Sequence, residues 1–264
     1  MNLIPKVIPP LTGLSVLVTR PLPQGEMLCA AIRKFGGAAV SFPTLEIQQL
    51  TACVSSTYDL AIFVSVNAVQ HGLALFAAQP DLRLAAIGRA TAAAMKQAQR
   101  PAHILPQADF NSEALLAHPE LLNSQIRRVV IVRGEGGREL LAESLSARGF
   151  QVDSCEVYRR VLPKVDPHAV DALEDSWQED GIDVITVTSI ETLSNLLTLL
   201  TDRSRTWLRG TALVVASDRI AEAARALGLS GPMINARGAD DASMLGALAN
   251  WYSRARASIV LSLG

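Results

Sequence analysis

The sequence predicts an α/β fold of two similar domains, each a parallel sheet flanked by helices. Three observations carry that expectation. Strand-like and helix-like runs alternate along the chain. The same strand-turn-helix units occur twice, with Asp59 and Asp183 in corresponding places at an offset of 124 residues. Each predicted strand also ends in small polar or basic residues, as strands do when they feed a crossover helix in a parallel sheet.

Taken in order, "LSVLVTR" (14–20) is a short apolar strand. It is followed by "PLPQGEMLCAAIRKFGG" (21–37), whose apolar residues have helical spacing and which stops at Gly36-Gly37. "AAVSFPTLEI" (38–47) is extended. "YDLAIFVSVNAVQHGLALF" (58–76) reads as strand, polar turn and helix, and "LRLAAIGRATAAAMKQAQ" (82–99) repeats that order. The first unit then returns as strand "RVVIVR" (128–133), turn "GEGG" (134–137), helix "RELLAESLSARG" (138–149) and extended "FQVDSCEVYRR" (150–160). "IDVITVTSIETLSNLLTLL" (182–200) matches the second unit and sets Ser189 opposite Ser65. "GTALVVASDRIAEAARALG" (210–228) matches the third, and "WYSRARASIVLSLG" (251–264) receives no role.

Composition bounds the function. A chain of 264 residues, 49% hydrophobic and 19% charged, buries a real core in one large domain or two small ones. A net charge of −1 argues against a general nucleic-acid binder. Cys29, Cys53 and Cys155 are scattered, and His71, His103, His118 and His168 are isolated, so metal-ligand spacing is missing. Unpaired cysteines fit a reducing cytoplasm. Prolines interrupt the apolar N-terminus, and no apolar run reaches membrane length. The expectation is a cytoplasmic protein that engages neither nucleic acid nor membrane.

In open parallel sheets, ligands sit outside the carboxyl ends of the strands, where helix N-termini offer unpaired N–H groups to anions. The strand ends here are Thr19-Arg20, Ser65, Gly88-Arg89, Arg133-Gly134, Thr188-Ser189 and Ser217. "GEGGRE" is neither GxGxxG, because Glu139 stands at the last glycine position, nor a Walker A loop. It reads either as part of an anion site or as a tight turn with Arg138 and Glu139 solvated. No nucleophile elbow, serine triad order or HExxH appears. Tyr158 lies in "EVYRR" between Glu156-Val157 and Arg159-Arg160. A phenol beside guanidinium groups can donate to a leaving oxygen; the alternative is a strand tyrosine packed against a loop.

"VLVTRP", "IFVSVNAV", "AIGRATA", "VVIVRGEGGRELLAESLSARGFQV", "EVYRR" and "VVASDRIAEAA", in that order, resemble the uroporphyrinogen-III synthase family over roughly residues 12 to 250. The resemblance implies a discontinuous arrangement: residues 1–45 with 163–264, residues 48–158 together, and linkers near 42–48 and 154–163. The linkers would pair as two antiparallel strands, letting the domains open and close around a ligand. The implied activity is that of a lyase. It cyclises hydroxymethylbilane to uroporphyrinogen III with inversion of ring D and loss of water, in tetrapyrrole biosynthesis leading to haem, sirohaem and cobalamin. It needs no cofactor or metal and acts as a monomer.

By matching position, Tyr158 assists departure of the hydroxyl. Arg20, Ser65, Asn67, Thr91, Arg133, Gly134, Arg138, Thr188, Ser189, Ser217 and Arg219 match substrate-binding positions. Many relatives carry a hydroxyl pair in the last turn, where this chain has "SDRIA", so Asp218 adds a negative charge beside Ser217 and Arg219. The competing reading is a two-domain module that binds a tetrapyrrole or another polyanion without catalysis. A nucleotide-dependent transferase is disfavoured by the broken phosphate motifs.

Overall fold

The computed structural model describes residues 9–107, 111–122, 125–137, 139–179 and 181–262. They form two compact units, Met1–Glu46 with Leu162–Gly264 and Ile47–Val161. The strands are β1 (Ser15–Val18), β2 (Ala38–Ser41), β3 (Glu46–Gln49), β4 (Leu60–Phe63), β5 (Arg83–Ala86), β6 (Arg128–Gly134), β7 (Gln151–Val161), β8 (Val184–Val187), β9 (Ala212–Val215) and β10 (Met233–Asn235). The first five helices are α1 (Gln24–Lys34), α2 (Val66–Gly72), α3 (Arg89–Gln97), α4 (Ser112–Leu116) and α5 (Pro119–Leu122). They are followed by α6 (Leu140–Ala147), α7 (Pro167–Glu179), α8 (Ile190–Leu199), α9 (Asp202–Gly210), α10 (Asp218–Ala226) and α11 (Asp241–Ser262).

One unit has the sheet order β10-β9-β8-β1-β2, parallel throughout. The other has β3-β7-β6-β4-β5, in which β7, β6, β4 and β5 are parallel. β3 runs against β7: Leu50 N–H donates to the Val157 carbonyl at 3.0 Å, and Arg159 Nε donates to Gln48 Oε1 at 3.0 Å, so partner numbers fall as those of β7 rise. The run β9-β8-β1-β2 repeats β5-β4-β6-β7 strand for strand. Ile104, bridged in parallel to Ala85, stands where β10 stands in the other sheet. The repeat read in the sequence is therefore a repeat of topology. Its halves are interleaved, because β1 pairs with β8 rather than with β4.

The expected single extended run over 38–47 divides in two. β2 stops at Ser41 and β3 starts at Glu46 in the other sheet. Pro43 has no N–H to extend a ladder. Thr44 is buried and fastened to α8: its hydroxyl donates to the Thr192 carbonyl at 3.0 Å, and Asn195 Nδ2 donates to the Thr44 carbonyl at 2.9 Å.

The central strands β1, β4, β6, β8 and β9 are buried on both faces, which is why they read as unbroken apolar runs. In one unit, Val16, Val18, Val184 and Val214 pack against Leu28 and Ile32 of α1 and Met244 and Leu248 of α11. Their neighbours Leu17, Ile185, Leu213 and Val215 face Leu173, Leu193, Leu196 and Ile220. In the other unit, Leu60, Ile62, Val129 and Ile131 meet Leu115 of α4 and Leu141 and Leu145 of α6. Ala61, Phe63, Val130 and Val132 meet Val69 of α2 and Met95 of α3. Alternate residues of each strand thus serve opposite helix layers. No helix among the described residues is long and apolar enough to cross a membrane.

The two corresponding aspartates do the same work. Asp183 Oδ2 accepts the N–H of Ser15 at 2.8 Å, and Asp59 Oδ2 accepts those of Arg127 and Arg128, each at 2.8 Å. Each carboxylate secures the start of the neighbouring central strand. The Arg128 N–H, then that of Arg127, holds the Asp59 carboxyl below the usual carboxylate range. Such a group stabilises the fold above its unfolded pKa of about 3.9, and that contribution fades as pH falls through the lowered folded value. Asp59→Asn is therefore expected to lower stability at pH 7 by about 1 kcal/mol, the discounted worth of charge-assisted bonds at an exposed carboxylate. Urea melts of both proteins at pH 7 and below pH 4 check this: the gap should close in acid.

Candidate functional site

The carboxyl edge of the β7-β6-β4-β5 sheet gathers three of the predicted residues, Ser65, Arg133 and Gly134, about a fourth, the Tyr158 phenol. β6 and β7 stay in register from Arg128↔Gln151 to Arg133↔Glu156, and the next pair is Gly134↔Tyr158. Val157 is thus an extra residue, a β-bulge, and such bulges re-aim the side chain that follows. Without it, alternation would send Val157 and Tyr158 to opposite faces. With it, both are buried against α2 and α3. The β3 edge takes up the carbonyl of the extra residue through Leu50 N–H.

The re-aimed ring packs directly against Gly134. A Cβ at that position would stand 2.6 Å from Tyr158 Cε2 and Cζ, closer than carbon atoms approach, so glycine is required by proximity. The phenol oxygen lies 3.1 Å from Ser65 Oγ. Ser65 is the N-cap of α2, in extended backbone conformation, and its Oγ accepts the Ala68 N–H at 3.0 Å. The His71 ring lies 6.1 Å from the Tyr158 ring, centroid to centroid.

Tyr158 and Gly134 line a cavity of about 340 Å³. Its polar wall includes Arg133, Arg160, Asn111 and Ser112, and its apolar wall includes Ile87, Leu140 and Leu141. Arg133 is buried and engaged: its Nη2 donates to Glu139 Oε1 at 2.5 Å and lies 3.4 Å from Glu156 Oε1. The Glu139 bond, foremost, raises the guanidinium pKa against the opposing effect of burial, and it holds the Glu139 carboxyl below its ordinary range. Glu139, solvated under the tight-turn reading, is exposed and also ties the start of α6 to the end of β6. Arg133 therefore clamps the glycine turn, in which Gly136 adopts a positive φ of 68°.

The guanidinium-flanked phenol read from "EVYRR" is corrected in one respect. Arg159 points away and bonds Gln48, so the hydrogen-bonding neighbour of the phenol is a serine. Arg160 borders the cavity itself. Asn67 is half-buried in the first turn of α2, and Thr91 is buried in α3. Arg138 lies outside the described residues.

The remaining predicted residues lie on the other unit, at the carboxyl edge of its own sheet. Arg20 follows β1 and is ion-paired with Asp241 of α11. Thr188 and Ser189 follow β8. Ser189 caps α8 by accepting the Thr192 N–H at 3.0 Å, and its hydroxyl meets the Thr192 hydroxyl at 2.8 Å. Ser217 precedes α10 without a side-chain cap bond, and Arg219 is exposed. Asp218 Oδ1 accepts a hydrogen bond from Asn235 Nδ2 at 2.7 Å. Among the described residues, no group of three or more His, Cys, Asp or Glu is arranged to hold a metal ion.

Asn111 and Ser112 escaped the reading of strand ends because they belong to a short helix after β5. A signal was present: Asn before "SEALL" is an N-cap pattern, and Asn111 Oδ1 accepts the Ala114 N–H at 2.8 Å. From this geometry, Gly134→Ala should destabilise the unit by about 1–3 kcal/mol through overpacking and push the Tyr158 ring off its seat. A denaturant melt with near-ultraviolet circular dichroism of the tyrosines measures both effects.

The geometry can be set beside known proteins. A family model described as uroporphyrinogen-III synthase HemD matches residues 26–244. The uroporphyrinogen-III synthase of Escherichia coli K12 is 37% identical over 253 residues, covering 89% of this chain and all of that protein. That of Salmonella typhimurium LT2 is 37% identical over 249 residues, with the same coverage. Among solved structures, uroporphyrinogen-III synthetase from Helicobacter pylori 26695 superposes with a TM-score of 0.58 at 12% identity, covering 95% of this chain and 100% of that one. A mutant uroporphyrinogen III synthase from the extremely thermophilic bacterium Thermus thermophilus gives 0.53 at 20% identity, covering 93% and 99%. At such identities the structures speak for the fold, while the sequence matches speak for descent. The chain belongs to the uroporphyrinogen-III synthase family.

Proposed function

We propose that this chain cyclises hydroxymethylbilane to uroporphyrinogen III, releasing the terminal hydroxyl as water and inverting ring D. Family membership supports the activity, and one feature of the site supports the chemistry: a buried phenol on a cavity wall, seated on Gly134 and hydrogen-bonded to Ser65. Departure of the hydroxyl leaves a pyrrole cation stabilised by its own ring nitrogen. The chain's task is to deliver a proton to the departing oxygen and to hold ring D so that its substituted carbon attacks, through a spiro intermediate. Tyr158 is the proposed proton donor.

Arg160, Asn111 and Ser112 supply cation and hydrogen-bond donors on the same wall, suited to a substrate carboxylate. Arg133, already held by two carboxylates, serves the shape of the glycine turn more than it serves as a bare cation. Thr188, Ser189 and Ser217 are proposed as hydroxyl contacts for carboxylates at the edge of their own sheet. No observation favours the non-catalytic reading.

The test is a coupled assay in which the preceding deaminase generates hydroxymethylbilane in situ, and the oxidised products are separated into type I and type III porphyrins. Uncatalysed closure gives the uninverted type I isomer. Type III product is the expected outcome, and type I alone would refute the proposal. In the same assay Tyr158→Phe should slow type III formation by about 10²-fold, the lower end of general-acid assistance, with an unchanged melting curve.

A further inference from the structure

The two halves of the repeat place a serine at the same spot, and a comparison of the two assigns one of them a second task. Ser65 and Ser189 are both N-caps, and each accepts the N–H of the residue three places on, Ala68 or Thr192, at 3.0 Å. A serine hydroxyl has one proton and two lone pairs, so capping uses one lone pair and leaves the proton to be placed. In Ser189 the hydroxyl is matched within its own helix by the Thr192 hydroxyl at 2.8 Å. In Ser65 the corresponding residue is Ala68, which has no hydroxyl, and the oxygen within reach is that of Tyr158 at 3.1 Å.

We infer that Ser65 is a positioning residue that donates its hydroxyl proton to the Tyr158 oxygen, turning the phenol's own proton toward the cavity. This rests on the proposed role of Tyr158 as proton donor. The alternative polarity, with Tyr158 donating to Ser65, would consume the proton the reaction needs. In the inferred polarity the donors point one way: Ala68 N–H to Ser65 Oγ, Ser65 O–H to Tyr158 Oη, Tyr158 O–H to the departing oxygen. Each bond in such a chain polarises the next. When the substrate C–O bond breaks, its electron pair leaves with the oxygen and the Tyr158 proton completes a water molecule. The phenolate then holds the hydrogen bond from Ser65. The proton shed when the closed macrocycle regains its pyrrole returns to that oxygen, so no further reactant is needed. The bulge and Gly134 complete the arrangement, since they bring the ring to where a cap serine can reach it.

The experiment is a double-mutant cycle on the rate of type III formation. Ser65→Ala should lower kcat about tenfold, the worth of one hydrogen bond formed more strongly in the transition state, with KM changed less than about twofold. Ser65→Thr, which keeps the hydroxyl and the cap, should stay within about threefold of wild type. In a Tyr158→Phe background, Ser65→Ala should change the rate by less than about twofold, because nothing remains for it to orient. Ser65→Asp keeps the capping oxygen without a proton to donate, so it guards against simple unfolding of α2 and should be at least as slow as Ser65→Ala. Equal losses from Ser65→Ala in both backgrounds, a loss confined to KM, or wild-type kcat in Ser65→Asp would overturn the inference while leaving the functional reading standing. Failure of the wild-type chain to make type III product would instead overturn that reading.

Discussion

A single inserted residue in β7 sets up the site. Because Val157 has no partner in β6, Tyr158 faces Gly134 instead of turning to the opposite side of the sheet. The ring then rests where any side chain on residue 134 would exclude it. Three local features are fixed together by that shift: the glycine under the ring, the serine at its oxygen and the cavity along its edge. Arg133, one residue before the shift, reaches Glu156 on β7 and Glu139 ahead of α6, so the strands and the turn around the bulge are tied by the same side chain. The bend is thus held from both sides, as expected where strand irregularity serves a site.

The duplication explains why the fold offers so many similar turns and why they are not equivalent. Both sheets share the order of four parallel strands, both use an aspartate to secure the start of the central strand, and both cap the helix after that aspartate's strand with serine. The register of β2 beside β1 runs unbroken from Ser15↔Ala38 to Val18↔Ser41, whereas that of β7 beside β6 breaks at Gly134. In one half the serine closes on Thr192, and in the other it opens to a phenol. A common scaffold with one altered register and one changed residue at the third position of a helix gives two edges with different chemistry.

Much of this was legible in the sequence because it depends on local pattern. Short apolar runs marked the strands, the offset between Asp59 and Asp183 marked the repeat, and Ser65 and Ser189 emerged from it as corresponding strand-end residues. Other features depend on partners far away in the chain. Nothing local in "EVYRR" reveals the bulge, which exists only relative to β6, so Arg159, next to Tyr158 in sequence, read as its neighbour in space. Arg133 read as a strand-end residue of a possible anion site, and its ties to Glu139 and Glu156 appear only once the strands and the turn are folded together. By apolar pattern alone the run over 38–47 reads as one extended segment, and the ties from Thr44 to α8 show what holds the chain between β2 and β3.

The site turns on the polarity of the Ser65–Tyr158 hydrogen bond, and the tyrosine doublet in ultraviolet resonance Raman spectra reads that polarity. Its intensity ratio separates a phenol whose oxygen accepts from one that donates. The chain has only three tyrosines, so subtracting the spectrum of Tyr158→Phe isolates the one of interest. The expected signature is that of a phenol whose oxygen accepts, lost in Ser65→Ala and kept in Ser65→Thr. A strongly donating phenol in the unsubstituted protein, or a signature indifferent to Ser65, would contradict it.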